Sequence, residues 1–332
     1  MASNISKVIV KTSARLHLGF IDLHGGMGRR YGSLGVSIDK PRCILEIQRS
    51  NRGISVADEG EHRIRRLVKV FVDNLKYIGG LEVTAKEVIP EHVGLGSGTQ
   101  LALAIGAAIA TLMDRPVNSR ELSRISNRGA VSGIGTAVFA QGGFVIDGGH
   151  SSTERGAGQK QIASHTIPPT IVHHDVPKDW TFVVAVPNIQ HGLSGVTEEK
   201  AFDQLPAAEP EHAHIISRLV LMQLLPAIVE DDIVLFGEAL TRIQTLVGDA
   251  FSGIQGGRFA NPKVDACINA MLKAGAYGAG QSSWGPSCYG LVRETDQIDS
   301  VQEAATKTLG AKGGYTFVTQ ANNRGAQITK VS

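Results

Sequence analysis

Cysteine is scarce in this chain: Cys43, Cys267 and Cys288 are widely spaced and odd in number, with no CxxC pair. This excludes a disulfide framework and a thiolate zinc site, and fits a reducing cytoplasm. Long apolar runs are lacking too. The longest, residues 101–113, falls well short of the ~20 residues a membrane span needs. Residues 8–10 are too few for the apolar core of a secretory signal. No basic block is interleaved with aromatics, and the net charge is only +2, so nucleic-acid binding has no support. The expectation is a soluble cytoplasmic protein with neither nucleic-acid nor membrane partners.

What is present is glycine, 39 in 332 residues, against a usual share of ~7%. They follow no collagen period and cluster in segments that predict tight turns or backbone-lined sites. The decisive cluster lies in residues 88–113, VIPEHVGLGSGTQLALAIGAAIATLM. Pro90, Gly94, Gly96 and Gly98 stop any strand or helix, whereas residues 100–113 contain no helix breaker except Gly106. A turn therefore feeds into a helix whose first amides lack internal partners and sit at the positive end of its dipole. Such a turn is a phosphate cradle. Ser97 and Thr99 add hydroxyls, and either is a candidate helix cap.

Residues 6–22 read as a strand carrying Arg15, His17 and Asp22 among apolar neighbours. Arg15, His17 and Gly19 share one face, with Asp22 on the other unless a turn intervenes at Gly19. Residues 23–35 form a glycine-rich loop bearing Arg29 and Arg30. Strands at 36–38, 42–48 and 81–88 flank a helix over 61–77. A short helix follows Ser119, a glycine turn opens another at 133–140, and 143–147 is a strand. Residues 151–160 read as an exposed loop and 162–176 as extended chain. A buried strand at 180–187 opens a second domain, placing the division at 5–176 and 177–332. Helices at 211–228, 231–246 and 262–274 follow. Then come a fourth glycine loop at 277–284, a strand at 288–292, a helix at 297–309 and a last strand at 314–319. This order suits an antiparallel sheet backed by helices, an α+β protein.

Three segments in this order, SARLHLGF, PEHVGLGSGTQLALA and GAYGAGQSSWGPSCYGLV, resemble the three motifs of the GHMP kinase superfamily. The resemblance implies an N-terminal α+β domain, a ferredoxin-like C-terminal domain and an active site between them. Family kinases often carry an Asp in a Ser-Gly-x-Asp turn, and here Gly135 stands in its place. Glycine can neither move nor orient a proton. With RLHLGFIDLHG and HGLSGVTEEKAF added, the chain is most similar to one branch, the β-ribofuranosylaminobenzene 5'-phosphate synthases. These join 5-phosphoribosyl 1-diphosphate to 4-aminobenzoate or 4-hydroxybenzoate, with loss of pyrophosphate and carbon dioxide.

That resemblance implies a role for each motif. The amides of Gly94, Leu95, Gly96, Ser97, Gly98, Thr99 and Gln100 would hold the diphosphate, with magnesium sharing its charge. Asp22 would bind that ion or stabilise the cationic ribose, the alternative being a turn-forming Asp. Arg15 and His17 would take the 5'-phosphate or the benzoate carboxylate. Gly278, Gly280, Gln281, Ser282 and Ser283 would face the cradle from the second domain, and His191 and Ser194 would close over a phosphate. A homodimer is the default assembly. The alternatives are an ATP-dependent kinase of the same superfamily and a non-catalytic sensor of nucleotides or sugar phosphates.

Overall fold

The computed structural model describes residues 5–57, 61–154, 160–162, 166–189 and 209–332. The first motif forms a single long strand, β1 (Lys7–Asp22), paired antiparallel with β2 (Arg29–Ser50) from Lys7↔Gln48 to Asp22↔Tyr31. Two irregularities interrupt the register, between Ser13 and Ala14 and between His17 and Gly19. The second falls where Gly19 takes a φ of 126°, which glycine tolerates without strain. The simple alternation expected beyond His17 is lost there. Strand β2 begins at Arg29, inside the stretch expected to be a loop, because Arg29 is anchored by its side chain to the Gly148 and Gly149 carbonyls.

After β3 (Ile54–Val56), α1 (Glu61–Leu75) and β4 (Gly80–Glu87), the cradle opens α2 (Ser97–Leu112). Helix α2 is buried from Gln100 to Leu112 and apolar almost all round, as a helix enclosed by other elements must be. Gly106 costs it little, because Phe71 of α1 fills the space: a Cβ would lie 2.5 Å from that ring. Next come α3 (Ser119–Ile125), α4 (Ile134–Gln141), β5 (Phe144–Asp147), β6 (His150–Glu154), β7 (Lys160–Ile162) and β8 (Thr170–His174).

The second sheet starts with β9 (Thr181–Pro187). Helix α5 (Pro210–Leu219) runs through a π turn at Val220–Leu224 into α6 (Leu225–Val229). By length and composition alone, Pro210–Val229 would cross a membrane; here part of it is buried, Ile216, Leu219 and Leu224 entering the core. Then follow α7 (Ile233–Gln255), α8 (Pro262–Lys273), β10 (Gly278–Gln281), β11 (Cys288–Val292), α9 (Thr295–Leu309) and β12 (Gly314–Gln320). The sheet order β10-β11-β9-β12, antiparallel throughout, is the ferredoxin-like arrangement.

The fold is α+β with two sheets. The division at 176/177 falls between β8 and β9, but an unexpected last strand, β13 (Gln327–Val331), pairs with β1 in the first sheet, whose path is β13-β1-β2-β4-β3. Helix α7 also outruns its expected end at residue 246. Gly248 lies within the helix, where the Arg258 backbone packs so closely that a Cβ would stand 2.5 Å from its carbonyl oxygen.

Candidate active site

The cradle is built by close approach of backbone. Gly94 has φ 88° and Gly96 φ 83°, a left-handed pair that turns the chain into α2. Gly96 itself is the N-cap and no side chain caps the helix, contrary to the expectation for Ser97 or Thr99. Gly96 has no side-chain oxygen to return to the first turn, and Gly96, Ser97, Gly98 and Thr99 line the cavity.

Arg15 ties the first motif to this turn. Its backbone N–H donates to the Leu95 carbonyl at 3.1 Å, its guanidinium donates to the Gly94 carbonyl, and its side chain lies over Gly96. From the second sheet, the Ser282 hydroxyl donates to the Gly94 carbonyl and accepts the His17 N–H at 3.0 Å. Gly285 crosses Gly94 so tightly that a Cβ on it would stand 2.2 Å from the Gly94 nitrogen.

Sequence reasoning missed the cations. Arg63 and Arg66 of α1 and Arg128 of the loop before α4 line the cradle cavity with Arg15, His62 and His92. The guanidiniums of Arg63 and Arg128 converge on Gly98, each about 3.1 to 3.2 Å from where a Cβ would stand. Burial, then the neighbouring Arg128 and Arg66 charges, hold the Arg63 pKa below the usual arginine value. Clustering like charges this closely is unfavourable until an anion arrives. Glu91 is the carboxylate on this wall, ion-paired with Arg63. The spacing of these arginines along the chain carries no motif, which is why only the fold reveals them.

Three cavities meet here. The cradle cavity holds about 630 Å³. A second, of about 160 Å³, lies between Arg15, His17, Thr99, Arg128 and Ser132. A third is a slot of about 40 Å³ walled by Phe20, Phe251, Phe259 and Trp284. Arg15, Thr99 and Arg128 belong to the first two, His17 and Phe20 to the last two, and Ser283 to all three. His17 is buried and neutral: desolvation, then the Arg15 charge, lowers its pKa to about 3. Its Nδ1 accepts the Gly19 N–H at 3.4 Å, which leaves Nε2 to donate to the Ser132 hydroxyl at 3.2 Å.

Other expected residues stand elsewhere. Asp22 lines none of the three cavities, and its Oδ1 accepts the His24 and Gly25 N–H groups at 2.8 and 2.7 Å, a turn-forming role. Gln100 is fully buried, bonded to Thr12 and to the Gly135 carbonyl, so its side chain supports the cradle from behind. Leu95 points into the core. Gly278 and Gly280 belong to a strand rather than a loop, and serve to let α7 lie against β10: their Cβ atoms would meet Gly237 and Gln244 at about 2.5 Å. Gln281 and Ser283 do reach the slot. His191 and Ser194 lie outside the described residues.

The family models GHMP kinases N terminal domain and GHMP kinases C terminal match residues 62–143 and 224–311. The β-ribofuranosylphenol 5'-phosphate synthase of Methanothermobacter thermautotrophicus is 35% identical, over 98% of this chain and 100% of its own. The chain belongs to the β-ribofuranosylphenol 5'-phosphate synthase family. Another synthase so named, from Methanocaldococcus jannaschii, is 33% identical over 97% of this chain and 100% of its own. The synthase fold is shared with a homoserine kinase from Cytophaga hutchinsonii, at TM-score 0.68 and 18% identity, covering 99% of both chains. A mevalonate diphosphate decarboxylase from Enterococcus faecalis gives TM-score 0.66 and 12% identity, covering 98% of this chain and 100% of its own.

Proposed function

We propose that this enzyme condenses 5-phospho-α-D-ribose 1-diphosphate with 4-hydroxybenzoate or 4-aminobenzoate, forming a ribosylated arene 5'-phosphate and releasing pyrophosphate and carbon dioxide. The observation that carries the reading is the convergence of Arg63 and Arg128 on the uncapped start of α2. Fixed donors of this kind stabilise the negative charge that collects on departing pyrophosphate. As the C1–O bond breaks, positive charge develops on the ribose. The ring carbon bearing the carboxylate then forms the new C–C bond, and loss of carbon dioxide returns its electron pair to the ring. The group lost is not a proton, so a strong base is not required.

Gly135 agrees with that economy. Its Cβ would lie 2.9 Å from the Thr99 methyl, so the place of the family's kinase carboxylate is closed by packing. Magnesium would travel with the diphosphate, since such an ion needs only one or two protein carboxylates. Glu91 on the cradle wall suits it better than Asp22, which lies off the cavities. The relatives are named for a ribosylphenol, which favours 4-hydroxybenzoate as the acceptor. A cytoplasmic homodimer is the setting we propose, to be weighed by light scattering.

The test is carbon dioxide release from carboxyl-labelled benzoates with phosphoribosyl diphosphate and magnesium, beside an ATP control. Release that depends on the sugar diphosphate is expected. No release from folded protein, with ATP consumed on a hydroxyl acceptor instead, would put a kinase in its place.

A further inference from the structure

None of Arg15, Arg63, Arg66 and Arg128 lines the aromatic slot. Phe20 and Phe251 have ring centroids 5.9 Å apart, and Phe251 meets Trp284 edge-on at 4.6 Å. Val247 and Gly248 of α7 complete one wall. The slot's own volume of about 40 Å³ is less than a benzoate needs, but along His17, Phe20 and Ser283 it opens into the cavity of about 160 Å³, and the aromatic side chains at that junction suit a flat ring lying across the two. Arg258 stands at its rim, ion-paired with Asp249 at 2.7 Å.

One polar side chain in the slot has a fixed orientation. Gln244 is 6% exposed, and its Oε1 accepts the Gln281 backbone N–H at 2.9 Å. A backbone N–H can only donate, so the oxygen must face Gln281 and the Gln244 Nε2 must face the slot, beside Gly19. The slot joins the other cavities through His17, Phe20, Ser283 and Trp284, whereas Gln244 lies on wall that neither of them reaches.

We propose that the slot between Phe20, Phe251 and Trp284 binds the aromatic acid, with Gln244 donating a hydrogen bond to its para oxygen and so selecting hydroxybenzoate over aminobenzoate. This rests on the synthase reading. The carboxyl-bearing carbon must face the ribose, which points the para group towards the far wall. A phenol oxygen accepts an N–H readily. An aromatic amine has its lone pair drawn into the ring and presents hydrogens to the amide's own. Leaving either donor unsatisfied in a buried site is what separates the two acids.

The experiment compares kcat/KM for 4-hydroxybenzoate and 4-aminobenzoate in the wild type, Gln244→Met and Gln244→Glu. It runs beside quenching of tryptophan fluorescence by 4-hydroxybenzoate in the wild type and Val247→Phe. Trp284 reports on the slot, and Trp180, the other tryptophan, is buried against Phe236. The wild type should prefer the hydroxy acid by about tenfold or more, the size of one well-placed hydrogen bond. Gln244→Met should bring the ratio near one, and Gln244→Glu, whose carboxylate accepts from the phenol O–H and the amine N–H alike, should lower it as well. Quenching should weaken at least tenfold in Val247→Phe, which fills the slot and leaves the KM for phosphoribosyl diphosphate unmoved. An unchanged ratio in both Gln244 variants, or equal quenching in Val247→Phe, would overturn the proposal while turnover upheld the synthase. If neither acid releases carbon dioxide the synthase reading fails, and quenching alone decides whether the slot takes an aromatic acid.

Discussion

The Ser282 hydroxyl donates to the Gly94 carbonyl at 2.7 Å across 188 residues of chain, and the same oxygen accepts the His17 N–H. One fully buried hydroxyl thus holds the first strand, the cradle and the second sheet in register. Ser282→Ala strands the buried His17 N–H, while the Gly94 carbonyl keeps its bond from Arg15, a loss of about 1–3 kcal/mol. We expect a lower melting temperature together with a raised KM for phosphoribosyl diphosphate. Calorimetry and steady-state kinetics on the same preparation check it, and an unchanged melting temperature would refute the latch.

Gly98→Ala should separate stability from binding. Alanine favours a helix by about 1 kcal/mol over glycine, yet its methyl would press on the Arg63 and Arg128 guanidiniums, which must move aside. The expected variant melts higher and binds inorganic pyrophosphate at least severalfold more weakly. Titration calorimetry reads the second effect. Tighter binding would show that the two guanidiniums do not serve the anion.

Acid should weaken the fold through His17. Its folded pKa of about 3 lies below the ordinary 6.5, so its stabilising contribution is complete above pH 6.5 and is lost as pH falls towards 3. The slope is about 1.4 kcal/mol per unit of pH. Asp147, pushed up to about 6 chiefly by burial, works oppositely: its protonation stabilises the fold, a contribution lost as pH rises from about 4 through 6. Urea unfolding across pH 3–7 should therefore show a shallower loss between 4 and 6, and His17→Gln should remove most of the acid sensitivity. A wild-type pH profile already as flat as the variant's would contradict a buried neutral imidazole.

Asp22 offers a clean choice between turn and chemistry. Asp22→Asn keeps an oxygen for the His24 and Gly25 amides and should leave both melting temperature and turnover near normal. Asp22→Ala should lower stability by about 1 kcal/mol. Turnover lost in the Asn variant, with melting unchanged, would restore a chemical role to the carboxylate.

The cradle was legible because glycine and proline act locally: Gly94 and Gly96 mark the turn by what their backbones must do. The antiparallel second sheet was legible from apolar strands such as β9 and β11, and its ferredoxin-like order only through the family resemblance. The arginine cluster was not, since Arg15, Arg63 and Arg128 come from a strand, a helix and a loop that only the finished fold brings together. Nor was the slot. It depends on α7 continuing past Gly248 to place Phe251, and local propensity argues for an earlier stop. Gly278 and Gly280 mislead in the other direction, because a glycine needed for close helix packing reads the same as one needed for a loop.

Strand β13 carries a consequence for synthesis. Lys7 pairs with Val331, so the first sheet is completed by a strand made only after the whole second sheet. Until then β1 has an open edge in the nascent chain, a template for pairing with other chains. Folding the first sheet to completion ahead of the second is therefore not open to this chain, and deleting residues 327–331 should turn a finished sheet into an aggregation-prone one.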